Sequence, residues 1–158
     1  PPAAPRRRRP PQRIILHLDL DCFYVQSERL LPSAHPFHVR WIQSLPYLPC
    51  AVAQYSPSAA ARGEDWSDRT DDRVLHCPGR PLRDASRGRS GLIAVSYEAR
   101  AAGVRRGMTA AQAIAACGGE LVLVRVPVRF GKADLGTYRD ASAAVMAELR
   151  AGVRDGAA

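Results

Sequence analysis

An α/β (α+β) fold is what this sequence predicts, with a mixed sheet, flanking helices and one disordered insert. Short apolar runs rich in Val, Ile and Leu alternate with segments of helical period. The runs have the length of buried strands. Residues 56–90 lose the alternation and are rich in Arg, Asp, Ser, Gly and Pro.

The elements follow in chain order. Ile14–Leu20 reads as a strand, β-branched at its start and apolar enough to be buried. Asp21 reads as the N-cap of a helix running to about Leu31 and stopped by Pro32. Residues 32–48 are proline-rich without a clear period and read as loop. Cys50–Tyr55 (C-A-V-A-Q-Y) is a second strand. Ser56–Ser90 carries seven arginines against six acidic residues and few apolar ones. Such a stretch cannot bury enough surface to order itself, so a disordered insert is expected.

Leu92–Ser96 resumes as a strand. Tyr97–Ala102 has helical character and is ended by Gly103. Thr109 caps a short helix, Ala110–Cys117, which Gly118-Gly119 closes. Leu121–Val126 is a further strand. Ala133–Arg150 is the clearest helix, with Leu135, Tyr138, Ser142, Val145 and Leu149 along one face.

With 158 residues, 46% hydrophobic and 24% charged, the chain is the size of one domain, or one domain with an insert. That size can bury a core. No stretch approaches the roughly 18–20 apolar residues of a membrane span, so no membrane association is expected. Arg6–Arg9 is followed by Pro10, Pro11 and Gln12 rather than by the apolar region of a signal peptide. Pro1 in place of Met suggests a chain that begins inside a longer reading frame. The net charge is +8, and five arginines lie in the first thirteen residues. Residues 1–12 read as a basic, disordered tail; a nuclear address or a phosphate-binding arm is the alternative. Cys22, Cys50, Cys77 and Cys117 show no C-x-x-C spacing, against a zinc site or a disulfide framework. Reduced, intracellular thiols are the simpler account. His35 and His38 have no second pair at ligand spacing.

Two segments carry chemistry. Asp19 and Asp21 end the first apolar run, where a strand tip faces the crevice that binds ligands in open α/β sheets. A carboxylate there can hold Mg²⁺ against phosphate; an ordinary acidic turn is the plain alternative. Tyr97 and Arg100, three residues apart, share a helical face, and Arg106 follows a glycine break. A hydroxyl with two guanidiniums suits a triphosphate clamp, since arginine forks match phosphate oxygens. A surface helix with a Glu98–Arg pair is the alternative there.

Taken together, D-L-D-C-F-Y, P-C-A-V-A-Q-Y, A-V-S-Y-E-A-R-A-A-G-V-R-R-G-M and G-K-A-D-L-x-x-Y-R-x-A-S stand in a telling order. In order and phase the chain resembles the Y-family translesion DNA polymerases, over roughly residues 13–31, 49–55 and 91–150. The resemblance implies a partial, UmuC-like palm-plus-fingers domain. Palm elements would be residues 13–31 and 133–151, and fingers elements 32–55 and 91–132, with an insert at 56–90 and a tail at 152–158. It implies nucleotidyl transfer from a dNTP to a primer 3′-OH opposite damaged template, in the nucleus, with two Mg²⁺ ions as cofactors. Primer–template DNA and dNTP are the implied partners, with a sliding clamp reached through C-terminal regions outside this sequence.

The resemblance also implies residue roles. Asp19 matches the catalytic carboxylate that bridges both metals, and Leu20 the residue whose main-chain carbonyl binds one of them. The main-chain N–H groups of Cys22, Phe23 and Tyr24 would meet triphosphate oxygens, and Tyr24 matches the steric gate that excludes a 2′-OH. Tyr97 and Arg100 match triphosphate contacts, Arg106 the finger arginine on the incoming nucleotide, and Gln54 the glutamine near the templating base. Asp21 matches no ligand, in keeping with a helix cap.

The sequence departs from the family pattern as well. No S-I-D-E-like strand carrying the second carboxylate pair follows the last helix, and Val128 and Phe130 fall where polar residues are usual. A lone Asp19 holds two Mg²⁺ ions poorly, so the isolated chain is expected to be inactive. A non-catalytic, truncated DNA-binding fragment is the alternative. A haloacid-dehalogenase-like phosphohydrolase also begins with D-x-D after a strand, but Cys22-Phe23 departs from its pattern and no downstream lysine and acidic pair follow.

Overall fold

The computed structural model describes residues 15, 17–31, 48–55, 73–79, 91–130 and 132–155. The expected tail at 1–12, the 32–48 loop apart from Leu48, most of the 56–90 insert and the last three residues of the expected 152–158 tail lie outside the described residues; residues 152–155 of that tail continue the last helix instead.

The centre of the fold is a mixed sheet. Strand β1 (Cys50–Ala53) is buried along its whole length. It runs parallel to β4 (Val122–Arg125), Cys50 opposite Val122 and Ala53 opposite Arg125. On its other side it pairs antiparallel with β3 (Leu92–Val95), Ala51 opposite Val95, with a bulge between Val52 and Ala53. Strand β2 (Val74–His76) lies antiparallel on the outer edge of β4, giving the order β2-β4-β1-β3.

Side chains alternate across a strand, and both faces of this sheet are covered. Cys50, Val52, Val122 and Val124 point to one face, where they meet Val25 of helix α1 (Phe23–Leu30) and Tyr138 of helix α4 (Gly136–Asp155). Ala51, Ala53 and Leu123 point to the other, against Ala99 of α2 (Tyr97–Ala101) and Ala110 and Ala113 of α3 (Ala110–Ala116). Burial on both faces explains why these strands read as continuous apolar runs.

Thr109 caps α3 as expected. Its hydroxyl accepts the Gln112 N–H at 3.4 Å, and the Gln112 side chain accepts the Thr109 N–H at 2.9 Å, a complete capping box. Thr109→Ala is expected to lower stability by about 1 kcal/mol, read as a shift in urea midpoint at unchanged slope.

The structure corrects four further expectations. Among the described residues, 15 and 17–20 form no strand, and Ile15, Leu18 and Leu20 are exposed. No described strand pairs with this segment, and without a ladder an apolar run has nothing to hold it extended. Asp21 does not cap α1; Cys22 occupies that position. Within the stretch read as a disordered insert, 73–79 is ordered: Val74, Leu75 and Cys77 are apolar enough to bury against β4. The last helix starts at Gly136 rather than Ala133, because Val128–Arg129 (β5) and Lys132–Ala133 (β6) form a small antiparallel pair first. The Asp134 carboxylate then accepts the Gly136 N–H at 2.9 Å. All four cysteines are free and buried. Among the described residues no helix is long and apolar enough to cross a membrane.

Candidate functional site

Two helix N-termini meet at the edge of the sheet. Cys22 adopts the left-handed conformation, φ 43° and ψ 39°, and its carbonyl accepts the Gln26 N–H at 3.1 Å to open α1. That conformation disfavours a residue with a Cβ by about 1–2 kcal/mol. No side chain caps the helix, which leaves its first-turn N–H groups facing outward. A capping carboxylate must stand at the N-cap itself, and Asp21 precedes it. Its carboxylate instead accepts a hydrogen bond from the Tyr97 hydroxyl.

Tyr97 is held there by Ser96. The buried Ser96 hydroxyl accepts the Ala99 N–H at 3.2 Å, capping α2, and the Cys50 N–H at 3.0 Å. The Ser96 N–H donates to the Cys50 carbonyl at 2.8 Å. Helix α2 is thereby pinned to the start of β1. The Arg100 guanidinium lies 5.3 Å from the centre of the Tyr97 ring, and its Nε donates to the Val95 carbonyl at 3.1 Å. The hydrogen bond to Asp21 raises the pKa of the Tyr97 hydroxyl above the usual tyrosine value.

Glu98 does pair with an arginine, as in the alternative reading of this helix, and the partner is Arg29 of α1 at 3.3 Å. Arg29 also donates to the Leu48 carbonyl at 3.2 Å. Burial pulls the Glu98 carboxyl up, but the Ser96 hydroxyl, its own backbone N–H and Arg29 outweigh it and hold the pKa below the ordinary 4.5. A carboxylate lowered on folding stabilises the fold above its unfolded pKa, and the contribution disappears as pH falls through the folded value. The urea midpoint should therefore drop below about pH 4.5, and Glu98→Gln should flatten that drop.

Tyr24 is half-buried, its ring 4.4 Å from that of Tyr138 and tilted by 56°. Phe23 packs edge-on against it at 6.1 Å. The Tyr138 hydroxyl donates to Glu28, and Glu28 forms an ion pair with Arg73 in which both side chains are 1% exposed. Glu28 and Arg73 escaped the sequence reading because they lie 45 residues apart and Arg73 belongs to a polar stretch. Only Tyr138 left a trace, as a member of the apolar stripe of α4.

Asp19 and Leu20 border an apolar groove whose other wall is Val145, Leu149 and Val153 of α4. Leu20 also borders a cavity of about 650 Å³ between α1 and α4. Gln54 is exposed at the far end of β1, its N–H donating to the Gly91 carbonyl at 3.1 Å. Gly91 in turn packs on Gly107: a Cβ on Gly91 would stand 3.4 Å from the Gly107 carbonyl oxygen. Arg106 is exposed in that same turn. Asp21, Tyr97 and Arg100 thus gather at one end of β1, and Gln54 and the Arg106 turn at the other. The four residues of β1 separate these ends by about 13 Å.

Among the described residues, no group of three or more His, Cys, Asp or Glu side chains comes together to hold a metal ion. A hard divalent ion takes about six oxygens. Asp19 and the Leu20 carbonyl do not assemble a two-ion site, and the Asp21 carboxylate is engaged by Tyr97.

A mixed sheet clasped by helices thus brings the D-L-D-C-F-Y segment against Y-E-A-R through the Asp21–Tyr97 hydrogen bond. The impB/mucB/samB family model matches residues 18–155, and the chain belongs to that family, within the Y-family polymerases. It is 39% identical to DNA polymerase eta of Arabidopsis thaliana over 137 residues, 87% of this chain and 14% of that protein. It is 35% identical to DNA polymerase eta of Drosophila melanogaster over 129 residues, 82% of this chain and 10% of that one. The chain thus spans a small part of the length of these relatives.

Proposed function

We propose that this chain is the nucleotide-handling part of a translesion DNA polymerase, an enzyme that transfers a nucleotidyl group from a dNTP to a primer 3′-OH opposite damaged template. The observation that carries this reading is the Tyr97–Asp21 hydrogen bond, which joins the two motif segments across 76 residues. In this reading the N–H groups of Cys22, Phe23 and Tyr24 receive triphosphate oxygens, because a helix N-terminus attracts anions. Arg100 adds a guanidinium fork. The Tyr97 hydroxyl exchanges Asp21 for a phosphate oxygen. The Tyr24 ring packs beneath the deoxyribose and leaves no room for a 2′-OH. Gln54 meets the templating base and Arg106 the incoming nucleotide, at the end of β1 away from the phosphates.

Asp19 and the Leu20 carbonyl are the chain's contribution to the Mg²⁺ chemistry that the family implies. They do not complete a two-ion site, so the isolated chain does not extend a primer. Primer–template DNA and dNTP are the partners, with salt-dependent binding of the DNA backbone to basic residues. Work in the nucleus and at a sliding clamp belongs to the same reading.

The test is titration of the chain with a fluorescent dNTP in Mg²⁺. Arg100→Ala should weaken binding about tenfold, the loss of one charge-assisted contact. No binding, or equal binding by Arg100→Ala, would overturn the reading.

A further inference from the structure

Arg73 heads β2, inside the stretch between β1 and β3, and it is 1% exposed. Its Nε donates to the Arg125 carbonyl at 3.0 Å, and its terminal nitrogen is bonded to Oε1 of Glu28. The same oxygen accepts the Tyr138 hydroxyl, and the Tyr138 ring lies against Tyr24. Tyr24 and Glu28 are four residues apart in α1 and share a face. Arg73, just before β2, and side chains of α1 and α4 thus form one continuous chain that ends on the half-buried Tyr24 ring.

We propose that Arg73 is a positioning residue for Tyr24, and through it for the choice between deoxyribose and ribose. The proposal rests on Tyr24 being the residue that reads the sugar. Arg73 fixes Oε1 of Glu28, Oε1 fixes the hydroxyl end of Tyr138, and the Tyr138 ring is the surface on which Tyr24 rests. Burial pushes the Tyr138 hydroxyl far above its ordinary range, so it stays protonated and keeps donating. Without Arg73 the buried carboxylate loses the partner that holds it in place, and Oε1 is no longer fixed for Tyr138. A gate that works by exclusion depends on where its ring stands, and a misplacement of 1 Å can change a rate about 100-fold.

The experiment measures kcat/KM for insertion of dATP and of ATP opposite template thymine, by the polymerase that contains this chain. Arg73→Met combined with Glu28→Met removes both charges together, so the buried pair is replaced rather than broken and the fold is kept; circular dichroism checks this. The preference for dATP should fall about tenfold in that variant, a shift of a fraction of an ångström on the scale above. Tyr138→Phe cuts the link at its other end without touching a charge and should lower the preference in the same direction. Arg73→Lys, which keeps a donor on Glu28, should retain most of it. No preference in the unsubstituted protein, or a preference that survives Tyr24→Ala, overturns the reading of Tyr24 and the proposal together. A preference lost in Tyr24→Ala but intact in Tyr138→Phe and in the folded double variant overturns the proposal alone.

Discussion

Arg73→Met alone should destabilise the folded chain by about 3–5 kcal/mol, the usual result of removing one partner of a buried ion pair. Both side chains are 1% exposed, so no solvent is at hand to take over from the lost guanidinium. Oε2 of Glu28 is already buried without a hydrogen-bond partner. After the substitution, the Tyr138 hydroxyl is what remains of the contacts described on Oε1. Single domains are stable by only about 5–15 kcal/mol, so most of the margin would go. Adding Glu28→Met should recover the greater part of the loss, because the cost lies in the stranded charge rather than in the missing attraction. Urea denaturation of both single variants and the double variant closes the cycle. A double variant as unstable as Arg73→Met would show that packing, not charge, is what Arg73 supplies.

Asp19→Asn and Asp21→Asn should part company in the polymerase that contains this chain. On the proposed reading, Asp19→Asn removes an anionic oxygen from the reaction centre and should lower the rate of synthesis by about 100- to 1,000-fold, as the loss of a charge-stabilising group does. The Asp21 carboxylate, by contrast, accepts a hydrogen bond from Tyr97. An asparagine carbonyl can accept the same bond, so Asp21→Asn should cost about tenfold or less. Single-turnover extension at saturating dNTP separates the two from effects on binding. Equal losses would mean that the two acids share one task and that the hydrogen bond to Tyr97 is incidental.

How far the sequence carried can be judged residue by residue. The runs at Cys50–Ala53, Leu92–Val95 and Val122–Val124 were legible because each is covered on both faces and so apolar, the last ending in the buried Arg125. Thr109 was legible because capping is local chemistry. Leu18 and Leu20 misled for the complementary reason: their composition suits a strand, but strands exist only through partners, and composition does not show whether one is at hand. Arg73 was invisible because its burial depends on Glu28, whose charge is far away in sequence and reads as an ordinary helix-surface residue. At the site, Tyr97 and Arg100 stood out by spacing. The hydrogen bond that ties Tyr97 to Asp21 did not, since an acid before a helix looks like a cap until Cys22 is seen to turn left-handed.

The position of β2 bears on how this chain tolerates change in length. It lies on the outer edge of β4, at the opposite side of the sheet from β3, and in sequence it stands between β1 and β3 on two long connections. Loop-closure entropy rises only with the logarithm of length, so doubling such a connection costs about 0.6 kcal/mol. Extra residues on either side of Arg73–Gly79 are therefore nearly neutral to the fold. Once Arg73 has met Glu28, however, the same segment cannot be deleted without stranding a buried carboxylate. A segment whose flanks can vary in length is thus itself tied into the core by a single arginine.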